Sequence, residues 1–176
     1  MHFKKFLPEA YYKNIYDIDY KLLKQKGISC LVFDLDNTIA LIDQKLVSKE
    51  TIKLFSLLEK DFTIVIISNN IKKRVRDYAT KLNCDYISSA RKPLLKGFRK
   101  IKKRYNLKNN QICMIGDQIV TDIFGGNRFK SFTILVDPMA KKDLKITALN
   151  RLLESKILKY FENSNIMKKG DYYNER

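Results

Sequence analysis

The sequence contains no tryptophan, a single histidine and only three cysteines among its 176 residues. Because His2 is the only histidine, we expect neither histidine-based catalysis nor a zinc site. The cysteines, Cys30, Cys84 and Cys113, show no C-x-x-C spacing, and two of them fall inside apolar strand patterns. We therefore interpret all three as reduced thiols of an intracellular protein.

Long apolar runs are also missing. The longest ones have the length of a β-strand, which predicts that no segment crosses a membrane. The N-terminus lacks the apolar core of a signal peptide, so we expect a cytoplasmic protein, with a peripheral position at the inner face of the membrane as a further option.

Acidic residues are scarce relative to basic ones. The chain has 19 Asp and Glu against 35 Lys and Arg, which gives a formal net charge of +16. This excess predicts attraction to phosphorylated substrates, nucleic acid or an anionic membrane surface. A solvated, lysine-rich surface is the ordinary explanation for most of it.

The most informative stretch is the apolar run that ends in Asp34 and Asp36. The residues before it, 28–33, indicate a strand buried on both faces, as in a parallel sheet. Carboxylates at the end of such a strand emerge at the edge where open α/β sheets bind ligands. Two anions this close are costly unless a cation or a shared proton offsets them, which suggests a hard divalent metal. The alternative is an Asx-rich turn that closes the strand.

Strands and helices alternate along the rest of the chain. Strands are predicted at 28–34, 62–67, 85–88, 111–115 and 132–136. The helices between and after them are predicted to begin near Ser48, Ile71, Pro93 and Thr121 and at about residue 143, and their predicted buried positions include Ile52, Leu94, Leu144, Ala148 and Leu152.

This alternation predicts an α/β protein with a Rossmann-like, three-layer α/β/α fold around a five-stranded parallel sheet. By length the chain is one domain, for which we assign residues 1–162. Residues 1–27 are predicted to form an N-terminal helical extension, and residues 163–176 a polar C-terminal tail that frays.

Polar residues follow several predicted strands: Asp34 and Asp36, Ser68, Lys92, and Asp117. Because parallel strands end at one shared edge, we expect these side chains to converge. If the substrate is a phosphate ester, a divalent cation between Asp34 and Asp117 would offset the charge of the carboxylates and the substrate. Asp34 could then attack phosphorus, and Asp36 could protonate the leaving group and later activate water. Ser68 and Lys92 would stabilise the phosphoryl oxygens.

Each of these residues also has an ordinary structural interpretation. Ser68 and Asn69 could cap the helix that follows them, and Lys92 could be a surface charge beside Arg91. Asp117 and Asp122 could be acidic residues that interact with the dipole at a helix start.

Taken together and in order, the polar segments resemble the four motifs of the haloacid dehalogenase (HAD) superfamily, closest to the subfamily IIIA phosphatases of the YqeG type. The matching segments are Asp34-Leu35-Asp36-Asn37-Thr38, Ser68-Asn69-Asn70, Lys92-Pro93 and Gly116-Asp117-Gln118-Ile119-Val120-Thr121-Asp122. Phe6-Leu7-Pro8 and Gly125-Gly126-Asn127-Arg128 resemble the same type, so the match covers most of the chain. Phe129-Lys130-Ser131 departs from it, because relatives tend to have small residues there.

The resemblance implies a phosphomonoesterase that depends on Mg²⁺. Asp34 would be the nucleophile, and Asp36 would be the acid/base and a metal ligand through its backbone carbonyl. Asp117 would bind the metal through its side chain, with Asp122 close behind it. The implied phosphate-binding residues are Asn37, Thr38, Ser68, Asn69 and Lys92. The second aspartate favours a phosphatase over a dehalogenase.

The motif spacing leaves no room for the cap domain that many relatives fold over small substrates. An open site suits a large substrate, or one presented by a surface. Some relatives of the YqeG type are phosphatidylglycerophosphate phosphatases, which favours that lipid at a membrane surface. The alternatives are a phosphatase for a soluble metabolite, nucleotide or phosphorylated polymer end, and a basic module that binds RNA or ribosomes. The lysines and arginines predicted to contact a membrane are Lys4, Lys5, Lys13, Lys21, Lys24, Lys96, Arg99, Lys100 and Lys103.

Overall fold

A computed structural model of the chain describes residues 3–140 and 147–174. Its strands are β1 (Ala10–Tyr12), β2 (Cys30–Phe33), β3 (Thr63–Ile67), β4 (Asp85–Ile87), β5 (Ile112–Gly116) and β6 (Phe132–Val136). Its α-helices are α1 (Tyr20–Gln25), α2 (Lys49–Leu58), α3 (Lys72–Lys81), α4 (Lys96–Arg104), α5 (Phe124–Phe129) and α6 (Thr147–Asn163). A 3₁₀ turn, Phe3–Phe6, precedes β1, and a π-helical turn, Ile119–Ile123, leads into α5.

The strands form one parallel sheet in the order β1-β6-β5-β2-β3-β4. The prediction of five strands was therefore wrong by one. The additional strand, β1, pairs with β6 at one edge of the sheet, where Ala10 lies beside Ile134. The N-terminal extension thus contributes an edge strand as well as the helix α1. Its three strand residues are all buried, a pattern too short to show an alternation in the sequence.

Successive strand residues point to opposite faces of the sheet, and both faces are covered. On one face, Leu31 and Phe33 pack in a core that also contains Phe55 of α2 and Val75 of α3. On the other face, Cys30 and Val32 pack in a core with residues of α4 and α5. A third cluster joins Tyr11, Leu135 and residues of α6. These layers confirm the predicted α/β/α architecture.

The thiols of Cys30, Cys84 and Cys113 are all free, as predicted. Ser48 caps α2, accepting a hydrogen bond of 3.0 Å from the backbone N–H of Thr51. His2 lies outside the residues that the structure describes.

Several predicted buried positions were wrong. Ile52, Leu94 and Leu152 are exposed. In α2 the buried stripe is formed by Thr51, Phe55 and Leu58, so that Ile52 lies beside the stripe and not within it. Leu94 lies in the turn before α4, which begins only at Lys96 and not at Pro93 as predicted. The predicted positions Leu144 and Ala148 lie outside the described side chains.

The C-terminal segment packs against the sheet, contrary to the prediction of a frayed tail. Met167 is buried, and Tyr173 forms an antiparallel bridge with Tyr11 of β1. The N–H groups of Tyr11 and Tyr173 each donate to the carbonyl of the other, at 2.8 and 2.9 Å. The hydroxyl groups of Tyr11 and Tyr172 both donate to the carboxylate of Asp137, at 2.5 and 2.6 Å.

The connections at the carboxyl edge of the sheet are short. Residues 34–48 join β2 to α2, and residues 68–71 join β3 to α3, and neither connection contains a further domain. Within the described part of the chain the fold is therefore capless, as predicted. No helix among the described residues is long and apolar enough to span a bilayer.

Candidate active site

Lys92 lies at the centre of the residues that converge at the carboxyl edge. Its side chain is buried, and its ammonium group lies 2.5 Å from Asp34 Oδ1 and 2.7 Å from Asp122 Oδ1. Burial alone would lower the pKa of Lys92, but the ion pairs with Asp122 and Asp34 outweigh it and raise that pKa above its ordinary value. Lys92 is therefore a fixed positive charge that joins the end of β2 to the π-helical turn.

Three buried carboxylates surround this charge. Oxygen atoms of Asp34, Asp117 and Asp122 all lie within 4.8 Å of one another. Burial raises the pKa of Asp34 well above its usual range, and Asp122 and Asp117 add to this, although Lys92 opposes it. Burial and Asp122 raise the pKa of Asp117 to about 7. A divalent cation would relieve this repulsion, and oxygen donors at this spacing suit Mg²⁺.

Gly116 allows Asp122 to join the cluster. A Cβ atom at position 116 would overlap the side chain of Asp122, so only glycine leaves room for this carboxylate without a shift. The backbone N–H of Gln118 donates to the same Oδ2 at 3.1 Å. Asp122 thus belongs to the group that can hold a metal and also contacts Lys92, whereas the resemblance implied a place behind the ligands.

Asp36 is not part of the cluster of three buried carboxylates and binds other partners. Its Oδ2 accepts a hydrogen bond from Asn70 Nδ2 at 2.9 Å, and its Oδ1 accepts from Arg74 Nε at 2.9 Å. The other nitrogens of Arg74 donate to the carbonyls of Leu41 and Gln44, both at 2.8 Å. Arg74 therefore ties Asp36 to the loop that follows β2. The metal contact through the Asp36 carbonyl stays a prediction.

Ser68 and Asn69 follow β3, as predicted, and differ in their contacts. Ser68 is buried, and its hydroxyl accepts a hydrogen bond of 3.1 Å from the backbone N–H of Asn70. Asn69 forms two hydrogen bonds with the backbone of Lys92: its Oδ1 accepts from the Lys92 N–H at 2.6 Å, and its Nδ2 donates to the Lys92 carbonyl at 3.1 Å. Asn69 thus positions Lys92, and its contact with phosphate stays a prediction.

Asn37 and Thr38 lie close to Asp117. The Thr38 hydroxyl donates to Asp117 Oδ1 at 3.2 Å. Asn37 adopts a left-handed conformation with φ of 65°, which asparagine tolerates better than most residues, and its carbonyl accepts from the N–H of Met139 at 2.9 Å. The turn after Asp36 is therefore fixed to the segment that follows β6.

Two charged residues of α6 were missed by the sequence analysis. Arg151 Nη2 lies 2.5 Å from Asp117 Oδ2, and Arg151 Nη1 lies 2.9 Å from Glu154 Oε2. The pKa of Glu154 is raised, because burial outweighs the effect of Arg151. With Glu154 the cluster has four carboxyl groups against the two cations Lys92 and Arg151, so acidic groups outnumber basic ones and a divalent ion would favour their ionised forms. Arg151 and Glu154 are three residues apart, a spacing that is common for ion pairs on helices, so the sequence gave no indication that they belong to a site.

Comparisons with known proteins identify the family to which the chain belongs. Residues 1–139 match the model of a family described as mitochondrial PGP phosphatase. Probable phosphatase YqeG of Bacillus subtilis (strain 168) is 38% identical over 156 residues, which cover 88% of this chain and 91% of that protein. Phosphatidylglycerophosphate phosphatase 1, chloroplastic/mitochondrial, of Arabidopsis thaliana is 24% identical over 147 residues, covering 78% of this chain and 42% of that protein.

Solved structures show the same fold. The HAD-hydrolase YfnB from Bacillus subtilis, bound to magnesium, superimposes with a TM-score of 0.55 at 14% identity, covering 69% of this chain and 92% of that chain. A protein from Listeria monocytogenes serotype 4b gives a TM-score of 0.52 at 15% identity, covering 73% of this chain and 99% of that chain. The ordered motifs, the family match and the fold agree, and the chain belongs to the mitochondrial PGP phosphatase family as a HAD-type phosphatase of the YqeG type.

Proposed function

We propose that this phosphatase works through an aspartyl-phosphate on Asp34 with the help of Mg²⁺, and that its substrate is phosphatidylglycerophosphate at a membrane surface. The observation that supports the chemistry most is the placement of Asp34. Its carboxylate is buried, is bound to Lys92, and lies within 4.8 Å of Asp117 and Asp122.

The residues of the chain divide the reaction between them. The Asp34 carboxylate attacks phosphorus while the bond to the leaving oxygen breaks, and that oxygen takes a proton from Asp36. Water then attacks the aspartyl-phosphate, gives its proton to Asp36 and releases phosphate, which regenerates Asp34. Lys92 and the Ser68 hydroxyl stabilise the charge on the phosphoryl oxygens. Asn69 keeps Lys92 in place.

Asp34, Asp117 and Asp122 would hold the Mg²⁺ ion. When bound, it supplies positive charge that offsets the negative charge of the phosphate ester. Thr38 and Arg151 fix the orientation of the Asp117 carboxylate, since each contacts one of its oxygens.

Mg²⁺ is expected to stabilise the protein against heat, because it binds the folded acidic cluster and not the unfolded chain. At a concentration of about 100 Kd, the melting temperature should rise by roughly 5 to 10 °C. Differential scanning calorimetry with and without Mg²⁺ measures this shift. Asp117→Asn should lose most of the shift, while Asp85→Asn, at an exposed carboxylate bound to Arg104, should keep it. An unchanged melting temperature in the wild-type protein would contradict the metal site.

Two findings support the lipid substrate. The family description and the Arabidopsis relative both name PGP phosphatases. The described chain also has no cap, so a small phosphate would find few contacts beyond the reacting group, and little binding energy would be available from its remote parts.

The experiment compares phosphate release from several substrates by the purified full chain with Mg²⁺. The substrates are dihexanoyl phosphatidylglycerophosphate below its micelle concentration, glycerol 3-phosphate, a nucleoside monophosphate and p-nitrophenyl phosphate. We expect kcat/KM for the lipid to exceed that for glycerol 3-phosphate by about 100-fold, because the larger substrate offers more binding energy. If kcat/KM is higher for the nucleotide or for glycerol 3-phosphate than for the lipid, the substrate is a soluble metabolite and not the lipid.

A further inference from the structure

Large apolar side chains are exposed on four separate loops of this protein. Leu46 is 68% exposed, Ile71 66%, Leu94 54% and Met139 48%. We propose that these four residues, the apolar rim, insert into the interface of an anionic lipid bilayer and hold the candidate active site against it. This inference rests on the proposed lipid substrate, and it identifies the surface of the protein that contacts the bilayer containing that lipid.

The topology places the apolar rim around the mouth of the site. Each of its residues follows the carboxyl end of a parallel strand: Leu46 follows β2, Ile71 follows β3, Leu94 follows β4 and Met139 follows β6. In a parallel sheet these loops share the edge that carries Asp34, Ser68, Lys92 and Asp117. A surface that covers the rim therefore also covers the entrance to the candidate site.

Hydrogen bonds attach three of these loops to the site. Ile71 follows Asn70, which binds Asp36, and Leu94 lies two residues after Lys92, whose backbone is held by two hydrogen bonds with Asn69. The N–H of Met139 donates to the Asn37 carbonyl at 2.9 Å. These contacts fix the backbone next to three of the four apolar side chains. The rim is therefore presented by anchored segments.

The charge next to the apolar rim selects an anionic bilayer as its partner. Exposed cations flank three of the four apolar residues, Leu46, Ile71 and Leu94, in the sequence, and they are Lys45, Lys72, Lys73, Arg91 and Lys96. The segments 71–73 and 91–96 contain no acidic residue. Apolar side chains that enter the acyl boundary, with cations at the headgroup level, are the pattern by which proteins bind anionic membrane surfaces.

This placement changes which of the predicted basic residues face the membrane. Lys4 and Lys5 lie in the 3₁₀ turn before β1, where the Lys5 carbonyl accepts a hydrogen bond from Asn127. The following Glu9 N–H donates to the carbonyl of Thr133, near the amino end of β6. This turn therefore precedes the amino end of β1 and is not one of the loops that carry the apolar rim. Lys96, at the start of α4, lies at the carboxyl edge.

The test measures binding to vesicles of equal parts phosphatidylglycerol and phosphatidylcholine, and to vesicles of phosphatidylcholine alone. The variants are Ile71→Ser, Leu94→Ser and the double variant. Serine at position 71 also provides a favourable cap for α3, so the fold should not suffer. The matched control is Leu57→Ser, since Leu57 is 53% exposed but lies near the far end of α2.

We expect the wild-type chain and Leu57→Ser to bind the anionic vesicles and not the neutral ones. The double variant should bind them about tenfold more weakly, because two apolar side chains no longer leave water. Hydrolysis of phosphatidylglycerophosphate within those vesicles should fall by a similar factor. Hydrolysis of dihexanoyl phosphatidylglycerophosphate in solution should stay within twofold of the wild-type value, since the reacting groups are unchanged.

Two results would overturn the apolar rim: wild-type protein that does not bind anionic vesicles, or a double variant that binds them as tightly as Leu57→Ser. Neither result tests the proposed substrate, which is tested by hydrolysis of the dihexanoyl lipid in solution. If the wild-type chain binds vesicles through the rim but does not hydrolyse this soluble lipid, the proposed substrate is wrong.

Discussion

Replacing Asp34 with asparagine is expected to lower Mg²⁺-dependent turnover of p-nitrophenyl phosphate by about 10⁴-fold or more, the order of loss found when other enzymes lose their nucleophile. The amide cannot form the acyl phosphate that the proposed mechanism requires. The fold should survive, because Lys92 keeps its ion pair with Asp122 at 2.7 Å. Steady-state rates, together with the melting temperature, separate lost chemistry from lost structure.

A direct measurement of the intermediate sharpens this test. Wild-type protein quenched in acid during turnover should gain the mass of one phosphoryl group, and Asp34→Asn should not. Asp85→Asn serves as the matched control, because Asp85 is an exposed aspartate outside the site. Activity of Asp34→Asn within tenfold of wild type would rule out covalent catalysis at this residue.

Replacing Asp36 with alanine is expected to have the second largest effect, and one that depends on the leaving group. An alkyl phosphate releases a basic alkoxide that needs a proton, so its turnover should fall by about 10²- to 10⁴-fold. p-Nitrophenolate needs little protonation, so its release should fall much less. The ratio of kcat/KM for the two substrates is the decisive measurement, because kcat/KM reports formation of the aspartyl-phosphate and not the hydrolysis that both substrates share.

Asp36→Asn separates proton transfer from the structural contact with Arg74. An amide at this position can still hydrogen-bond to a neighbour but cannot donate an acidic proton. If both variants lose alkyl phosphatase activity equally, proton transfer explains the loss. If Asp36→Ala lowers kcat/KM for the two substrates by the same factor, Asp36 does not act as the acid when the leaving group departs, and its bonds to Arg74 and Asn70 have a positional role in that step.

The sequence predicted the site better than its surroundings. The convergence of Asp34, Lys92 and Asp117 was predictable because each follows a strand and parallel strands end at one edge. The roles of Asn69 and Arg74 were not, because their hydrogen bonds join segments that are far apart in the sequence. Propensity and spacing carry no information about such partners.

The differences in the fold have the same origin. β1 has only three residues, and it pairs with β6 more than a hundred positions later, so no local pattern could identify it. In the sequence, Arg151 and Glu154 look like any charged pair on a helix. Only the packing of α6 brings Arg151 into contact with Asp117. Leu94 follows a proline that typically opens a helix, but α4 begins only at Lys96, two residues after Leu94.

The bridge between Tyr11 and Tyr173 has a consequence for the solubility of the protein. An uncovered edge strand presents N–H and C=O groups that can pair with another molecule, and natural proteins cover such edges to avoid aggregation. Here the two reciprocal hydrogen bonds of Tyr173 occupy Tyr11 on β1, and the phenol groups of Tyr11 and Tyr172 bind Asp137 beside it. A chain shortened after residue 163 would retain the candidate catalytic residues and expose this edge, so that it would tend to self-associate through β1.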